Sequence, residues 1–547
     1  MELTSQFAVV PIVVNAGAAL LPALLAGVAS IAALIFKPRE LIRACRARPG
    51  VVLAVLSVVV GTVAMMWFWP AGSTGKNRTT RSGSSEAGSA SSGLAPVTVD
   101  WTRVALARIA ATKAGATVAP VASASITPAA SGKEPFIFRG GTERLGSLGG
   151  EIKGPLQLAW QYYPRWRDNG VEQEDRDAMV LSSPAVWGDR VFGASCTLDP
   201  PDSFGSVFCL DAATGRQLWS VDQADGEPFK GFFSSPAISA DGRYLVIGQG
   251  LHPDSNCRLV CLDTATGRVQ WTVKVPLHIE SSPYIEGDVV YVGAGAIEDP
   301  TTHKAMGHPG FVFAVRLSDG KELWRFDVND PESSPAMRNG VLFIGSGFNG
   351  NAVVALKTGP AVDAKPALLW RAESPHPITG AVTLAGDLVF AGGGNGDFVF
   401  RDPNPAGIVL ALQAADGKPS WQAVLPDAVL GAVAASERLI CPVASGQVVA
   451  LDIATGKVVW TNSVSGNAPV LAAAAVTKSE VFAVSQNGYL GRLRLDTGES
   501  IERIYLNATD KPGEQGLSIS SPLVVGGRLF VGSETGGLRC YVGGAAQ

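Results

Sequence analysis

No two of the seven cysteines are adjacent or spaced as Cys-x-x-Cys, which removes the zinc-ribbon and dithiol readings that such spacings carry. Histidine is scarce, at five residues, and none stands in a recognisable catalytic arrangement. There is no Gly-x-Ser-x-Gly elbow. The glycine-rich AGGGNGD at 391–397 is followed by neither the lysine nor the helix of a phosphate loop, so it reads as a permissive turn. Charged residues make up only 17% of the chain and the net charge is −4, so no global basic field favours nucleic acid. Glycine (63 residues) and proline (35) are abundant and 46% of residues are hydrophobic, a composition suited to many short strands joined by turns.

The strongest signal is a repeated phrase. CLDAATGRQLW at 209–219, CLDTATGRVQW at 261–271 and ALDIATGKVVW at 450–460 are near copies, with worn versions at 316–324, 412–421 and 493–501. Each repeat opens on a small-residue strand: Ser-Ser-Pro recurs at 182, 234, 281, 333 and 520, with degraded openings at 379, 430 and 471. A period of about 40–50 residues marks a stacked or circular array. Alternating apolar strands with Gly/Asp/Asn turns give four strands per repeat. The predicted fold is all-β, an eight-bladed propeller of four-stranded blades, with seven as the fallback because the seventh repeat lacks its tryptophan. The eighth repeat stops after three strands, and GPLQLAWQYY (154–163) supplies the missing one, which closes the ring and removes an exposed edge.

Two apolar runs precede the repeats, at about 8–36 and 50–69, and each reaches or approaches the roughly 20 residues a bilayer span needs. The loop between them holds Lys37, Arg39, Arg43, Arg46 and Arg48 against Glu40 alone, which places it in the cytoplasm and everything after Trp69 outside. Residues 1–70 thus read as a two-helix anchor in the inner or plasma membrane. Residues 71–133, rich in Gly, Ser, Ala and Pro, read as a flexible tether. The propeller, 134–547, is then periplasmic or exoplasmic.

Within the repeated phrase, Asp and Thr side chains can bond turn amides and glycine accepts the left-handed turn geometry. The tryptophan eight residues after the Asp is positioned to pack on the next blade. Ala450, Asp452, Thr455, Gly456 and Trp460 match the full phrase; Trp160, Trp219, Trp271, Trp324, Trp370 and Trp421 hold the equivalent aromatic position. This phrase resembles the tryptophan-docking motif of pyrroloquinoline-quinone-type (PQQ-like) propellers, over about 154–547, and FIFRGG (136–141) is similar to their lead-in segment. The family includes calcium- and quinone-dependent dehydrogenases and non-enzymatic members similar to the outer-membrane assembly factor BamB. The resemblance to the enzymes implies a quinone held between a tryptophan floor and, in many members, a disulfide of adjacent cysteines, with calcium and an aspartate base nearby. This sequence has no Cys-Cys pair and no calcium set that the motif places.

The long connections, at 162–181, 196–206, 222–233, 250–258, 296–310 and 394–407, all belong to one face of such a propeller, and the opposite turns are short. An elaborated face is where binding is expected. Its first loop offers Tyr162, Tyr163, Arg165, Trp166 and Arg167, residue types that anchor protein interfaces. His303 and His308, near Glu298 and Asp299, are a weak candidate metal pair. Cys209, Cys261 and Cys540 share a third-strand position and read as small buried fillers. Cys196 and Cys257 lie in loops of adjacent blades, with a disulfide and two free thiols as the alternatives. The expected role is a non-catalytic, membrane-tethered scaffold binding an envelope protein or polysaccharide, without a cofactor. The alternatives are a membrane quinoprotein dehydrogenase using PQQ and calcium, and a ligand-binding ectodomain.

Overall fold

The computed structural model describes residues 138–544, apart from breaks at 142–143, 145–149, 169–170, 200–201, 298–305, 360–363, 399–400 and 515. Both apolar runs, the tether, Glu298, Asp299 and His303 lie outside the described residues, as do the side chains of Trp166 and Arg167. Among the described residues no helix is long and apolar enough to cross a membrane.

Eight antiparallel four-stranded sheets form the blades. Blade 1 comprises 185–187, 190–194, 207–211 and 217–221, and blades 2 to 7 follow in chain order between Ala237 and Tyr505. Blade 8 pairs 523–525, 528–532 and 538–543 with Leu156–Tyr162, so the N-terminal strand completes the last sheet. The second and third strands of each blade are buried almost throughout, as in Val289–Ala294 and Phe311–Arg316. They are sandwiched between neighbouring sheets, and so read as continuous apolar runs instead of strict alternation.

A regular register organises the outer pair of strands. Each of the seven repeat tryptophans faces a small residue on the third strand: Cys209 opposite Trp219, Cys261 opposite Trp271, Ala314 opposite Trp324, Ala355 opposite Trp370, Ala411 opposite Trp421, Ala450 opposite Trp460 and Cys540 opposite Trp160. A β-bulge adjoins each pair; a bulge locally re-aims a side chain. The indole N–H then donates to a carbonyl of the next blade's turn: Trp160 to Ala212, Trp219 to Thr264, Trp271 to Leu317, Trp370 to Ala414, Trp421 to Ile453 and Trp460 to Leu495, all at 2.7–3.1 Å. In the turn itself Asp452 Oδ1 accepts from the Thr455 amide at 2.9 Å and from its hydroxyl at 2.6 Å.

Blade 7 departs from this pattern. Glu502 stands opposite Arg492 where the other blades put tryptophan opposite a small residue. Arg492 is buried and donates to both oxygens of Glu480 and to the carbonyls of Ile152 and Gly154, while Glu502 accepts from the Leu156 amide. The aromatic adhesive gives way here to an ionic clasp that seats the start of the closing strand.

Candidate functional site

The blade openings converge on a common cavity. Ser183, Ser235, Ser282, Ser334 and Ser521 line it, together with Leu181, Phe233, Leu430, Leu471 and Ile519. The serines also tie the blades together. The amides of Ser183, Ser235, Ser282 and Ser521 donate to the hydroxyls of Ser235, Ser282, Ser334 and Ser183, each at 2.9–3.0 Å. Blades 5, 6 and 7 lack these serines, and at blades 5 and 6 the lead-in segment takes their place. Arg139 donates to Ala381 and Ala432 carbonyls and to Thr383 Oγ1; Arg144 donates to the carbonyls of Pro335, Ser282 and Pro283. Both arginines are buried, so the lead-in acts as an internal strut across blades 3 to 6.

One sector of this apolar lining is ionisable. Glu280 and Glu332 immediately precede Ser-Ser-Pro, at the position that Leu181, Phe233 and Ile519 fill in blades 1, 2 and 8. His252, from the loop within blade 2, and His278, from the link to blade 3, converge on them. His252 Nδ1 lies 2.7 Å from Glu332 Oε1 and 3.7 Å from Glu280 Oε1, and His278 Nδ1 lies 3.7 Å from Glu280 Oε1. Apart from that 2.7 Å contact, neither ring nitrogen of His252, nor His278 Nδ1, nor Glu332 Oε1 has a hydrogen-bond partner. His278 Nε2 is 2.8 Å from the Ala296 carbonyl. Gly295 makes room for the group, since a Cβ there would lie 2.6 Å from His278 and 2.7 Å from Glu332.

Burial penalises charge throughout this sector. It pushes Glu280 up to about 7 and Asp330 up to about 6, and moves Glu332 well up. Burial, with His252 adjacent, lowers His278 to about 3. Burial opposes the charge on His252 too, but Glu280 and Glu332 outweigh it and hold its imidazolium well above the ordinary range. Sequence reasoning missed this cluster. The available signal was the substitution of glutamate for an apolar residue at one repeat position in two consecutive blades.

The weak histidine pair is placed differently. His308 is exposed, accepts a hydrogen bond from the Gly310 amide at 3.1 Å and packs edge-on against Phe311. Cys196 and Cys257 are both free and buried, and burial raises both thiols, Cys257 to about 12.

On the elaborated face, three of the expected loops are two-stranded ribbons: Arg165–Asp168 with Val171–Glu174, Thr197–Asp199 with Asp202–Phe204, and Gln223–Ala224 with Glu227–Pro228. A cleft of about 250 Å³ lies among them, lined by Arg165, Asp175, Thr197, Phe204, Asp222 and Phe229. Arg165 is exposed, and Phe204 is 41% exposed. Tyr162 is buried and donates to Gln217 Oε1, which makes it part of the closing strand's packing. Tyr163 is half-buried beneath Arg176, whose guanidinium lies 5.0 Å from the ring centroid and pairs with Asp510. Trp166 and Arg167 pair through their backbones with Gln173 and Glu172.

The family described as outer membrane protein assembly factor BamB matches residues 174–303 and 308–541. The chain belongs to this family. Outer membrane protein assembly factor BamB of Yersinia pestis is 22% identical over 371 residues, covering 65% of this chain and 72% of that protein. The dehydrogenase subunit of a quinone alcohol dehydrogenase from Gluconobacter oxydans is 25% identical over 305 residues, covering 51% of this chain. This BamB-type propeller spans 35% of that subunit's length. The crystal structure of quinohemoprotein alcohol dehydrogenase from Comamonas testosteroni shares the fold, with a TM-score of 0.56 and 14% identity over 76% of this chain and 82% of that one.

Proposed function

We propose that the chain is a non-catalytic scaffold of the cell envelope, which binds a protein on the elaborated face and is tethered to the membrane by the runs at 8–36 and 50–69. The carrying observation is the cleft between the three ribbons of blades 8, 1 and 2. It offers a partly exposed phenylalanine, an arginine and carboxylates in one concavity, the mixture that anchors protein interfaces. BamB relatives are outer membrane assembly factors by name, which supports an envelope protein as the ligand.

The similarity to a quinone alcohol dehydrogenase subunit favours a second reading, a PQQ- and calcium-dependent dehydrogenase. The described residues fit it poorly. The axial cavity is lined by no tryptophan, the seven tryptophans of the repeat are committed to the outer strands, and no adjacent cysteines exist to cover a flat quinone.

A photo-crosslinking residue in place of Phe204, in the full-length protein in its native membranes, tests the proposal. A discrete adduct with an envelope protein is expected there, and none from the same residue in place of Val459, which is exposed on the outer strand of blade 6. Equal labelling from both positions overturns the assigned surface. Saturable reduction of a redox dye by protein supplied with PQQ, calcium and an alcohol or sugar overturns the non-catalytic reading.

A further inference from the structure

We infer that His252, His278, Glu280 and Glu332 form a binding site for one divalent transition-metal ion of the zinc class, independently of the scaffold reading.

Four donors converge. One ligand atom from each residue lies within 4.8 Å of the others, and the separations around Glu280 and Glu332 run from 2.7 to 3.7 Å. Metal bonds of about 2.0–2.1 Å in a tetrahedron put donors ~3.3 Å apart, inside that span. The donor chemistry discriminates among ions. Two imidazoles with two carboxylates suit zinc and its first-row neighbours, whereas calcium and magnesium take oxygen.

The hydrogen bonding points the same way. The Ala296 carbonyl beside His278 Nε2 fixes the proton on that nitrogen and leaves the Nδ1 lone pair directed at the cluster, the second-shell arrangement that metal-binding histidines use. His278 is 0% exposed, yet that Nδ1 has no hydrogen-bond partner. An unpartnered buried polar atom is costly, and a cation would satisfy it.

The surroundings of the four donors are acidic. Glu280, Glu332, Asp330 and Asp397 are all buried and act electrostatically on His252. Asp330 is held by the amides of Ala296 and Phe348, which orients it as an outer-shell carboxylate.

The test uses the full-length protein, stripped with a chelator and titrated with Zn²⁺ or Co²⁺. The expected result is one ion retained per chain after dialysis, a higher unfolding temperature with metal, and visible Co²⁺ bands of a four-coordinate nitrogen–oxygen site. Glu332→Gln, which keeps shape, and His252→Ala, at the partly exposed position, should each weaken binding by at least about 10–100-fold. Either folded variant suffices for the comparison. Failure of the folded wild type to retain stoichiometric metal overturns the inference, as does unchanged affinity in the folded variants.

Discussion

The indole of Trp421 in blade 5 lies directly over Gly456 in the turn of blade 6, so close that a Cβ on the glycine would sit 2.5 Å from the ring. Gly456 also has φ +70°, a region that side chains resist. The same approach recurs for Trp160 over Gly215, Trp219 over Gly267, Trp271 over Gly320, Trp370 over Gly417 and Trp460 over Gly498, all with positive φ. Glycine in the repeated phrase therefore serves both the turn and the neighbouring blade.

Gly456→Ala should cost about 1–2 kcal/mol for the left-handed backbone and about 1–3 kcal/mol more for overpacking against the indole. Gly188→Ala isolates the first contribution, because Gly188 has φ +58° and nothing within 4 Å of its Cβ position. Urea unfolding of both variants checks this; equal losses would show that the indole contact adds nothing.

Arg492→Ala should destabilise by about 3–5 kcal/mol, because it strands the partly buried carboxylates Glu480 and Glu502 and frees the Ile152 and Gly154 carbonyls. Arg494→Ala, which breaks only an exposed pair with Glu499, should cost less than about 1 kcal/mol. Denaturant midpoints of the two variants give the comparison, and similar losses would refute the ionic clasp.

Deleting the closing strand Leu156–Tyr162 should bare the edge of Leu538–Gly543, and open edges pair with other chains. Size-exclusion chromatography should show concentration-dependent association absent from the intact protein. A strictly monomeric, equally stable deletion would contradict ring closure by this strand.

The six described cysteines should resist thiol reagents in the native state, since all are buried and free and burial raises their thiols, to about 12 for Cys209 and Cys257 and about 11 for Cys540. Only the thiolate reacts appreciably. Mass spectrometry after alkylation should find them unmodified until the protein is unfolded. A disulfide between Cys196 and Cys257 in the native protein would contradict the structure.

The eight blades and the strand that completes the last were legible because each repeat carries its own turn chemistry and strand period. The small residue facing each tryptophan was legible only for the three cysteines, since alanine at that position is unremarkable in sequence. The ribbons around the cleft were hidden: Asp202–Phe204 and Gln223–Ala224 are too short to show a period. Arg139 and Arg144 owe their role to carbonyls far along the chain, as in the bond from Arg139 to Ala381. His252 and Glu332 come from different blades, and ring geometry alone brings them together. The Arg492 clasp was likewise masked, because a missing tryptophan reads as a degraded repeat until Glu502 is seen beside its partners.

The most direct measurement is cross-linked co-purification of the full-length protein from its native membranes, beside the variant Arg165→Ala, Trp166→Ala, Arg167→Ala. The scaffold account predicts a discrete envelope protein captured by the wild type and lost from the variant, with the propeller's unfolding midpoint unchanged. Equal capture by both would contradict the assigned surface, and the absence of any specific partner would contradict the scaffold itself.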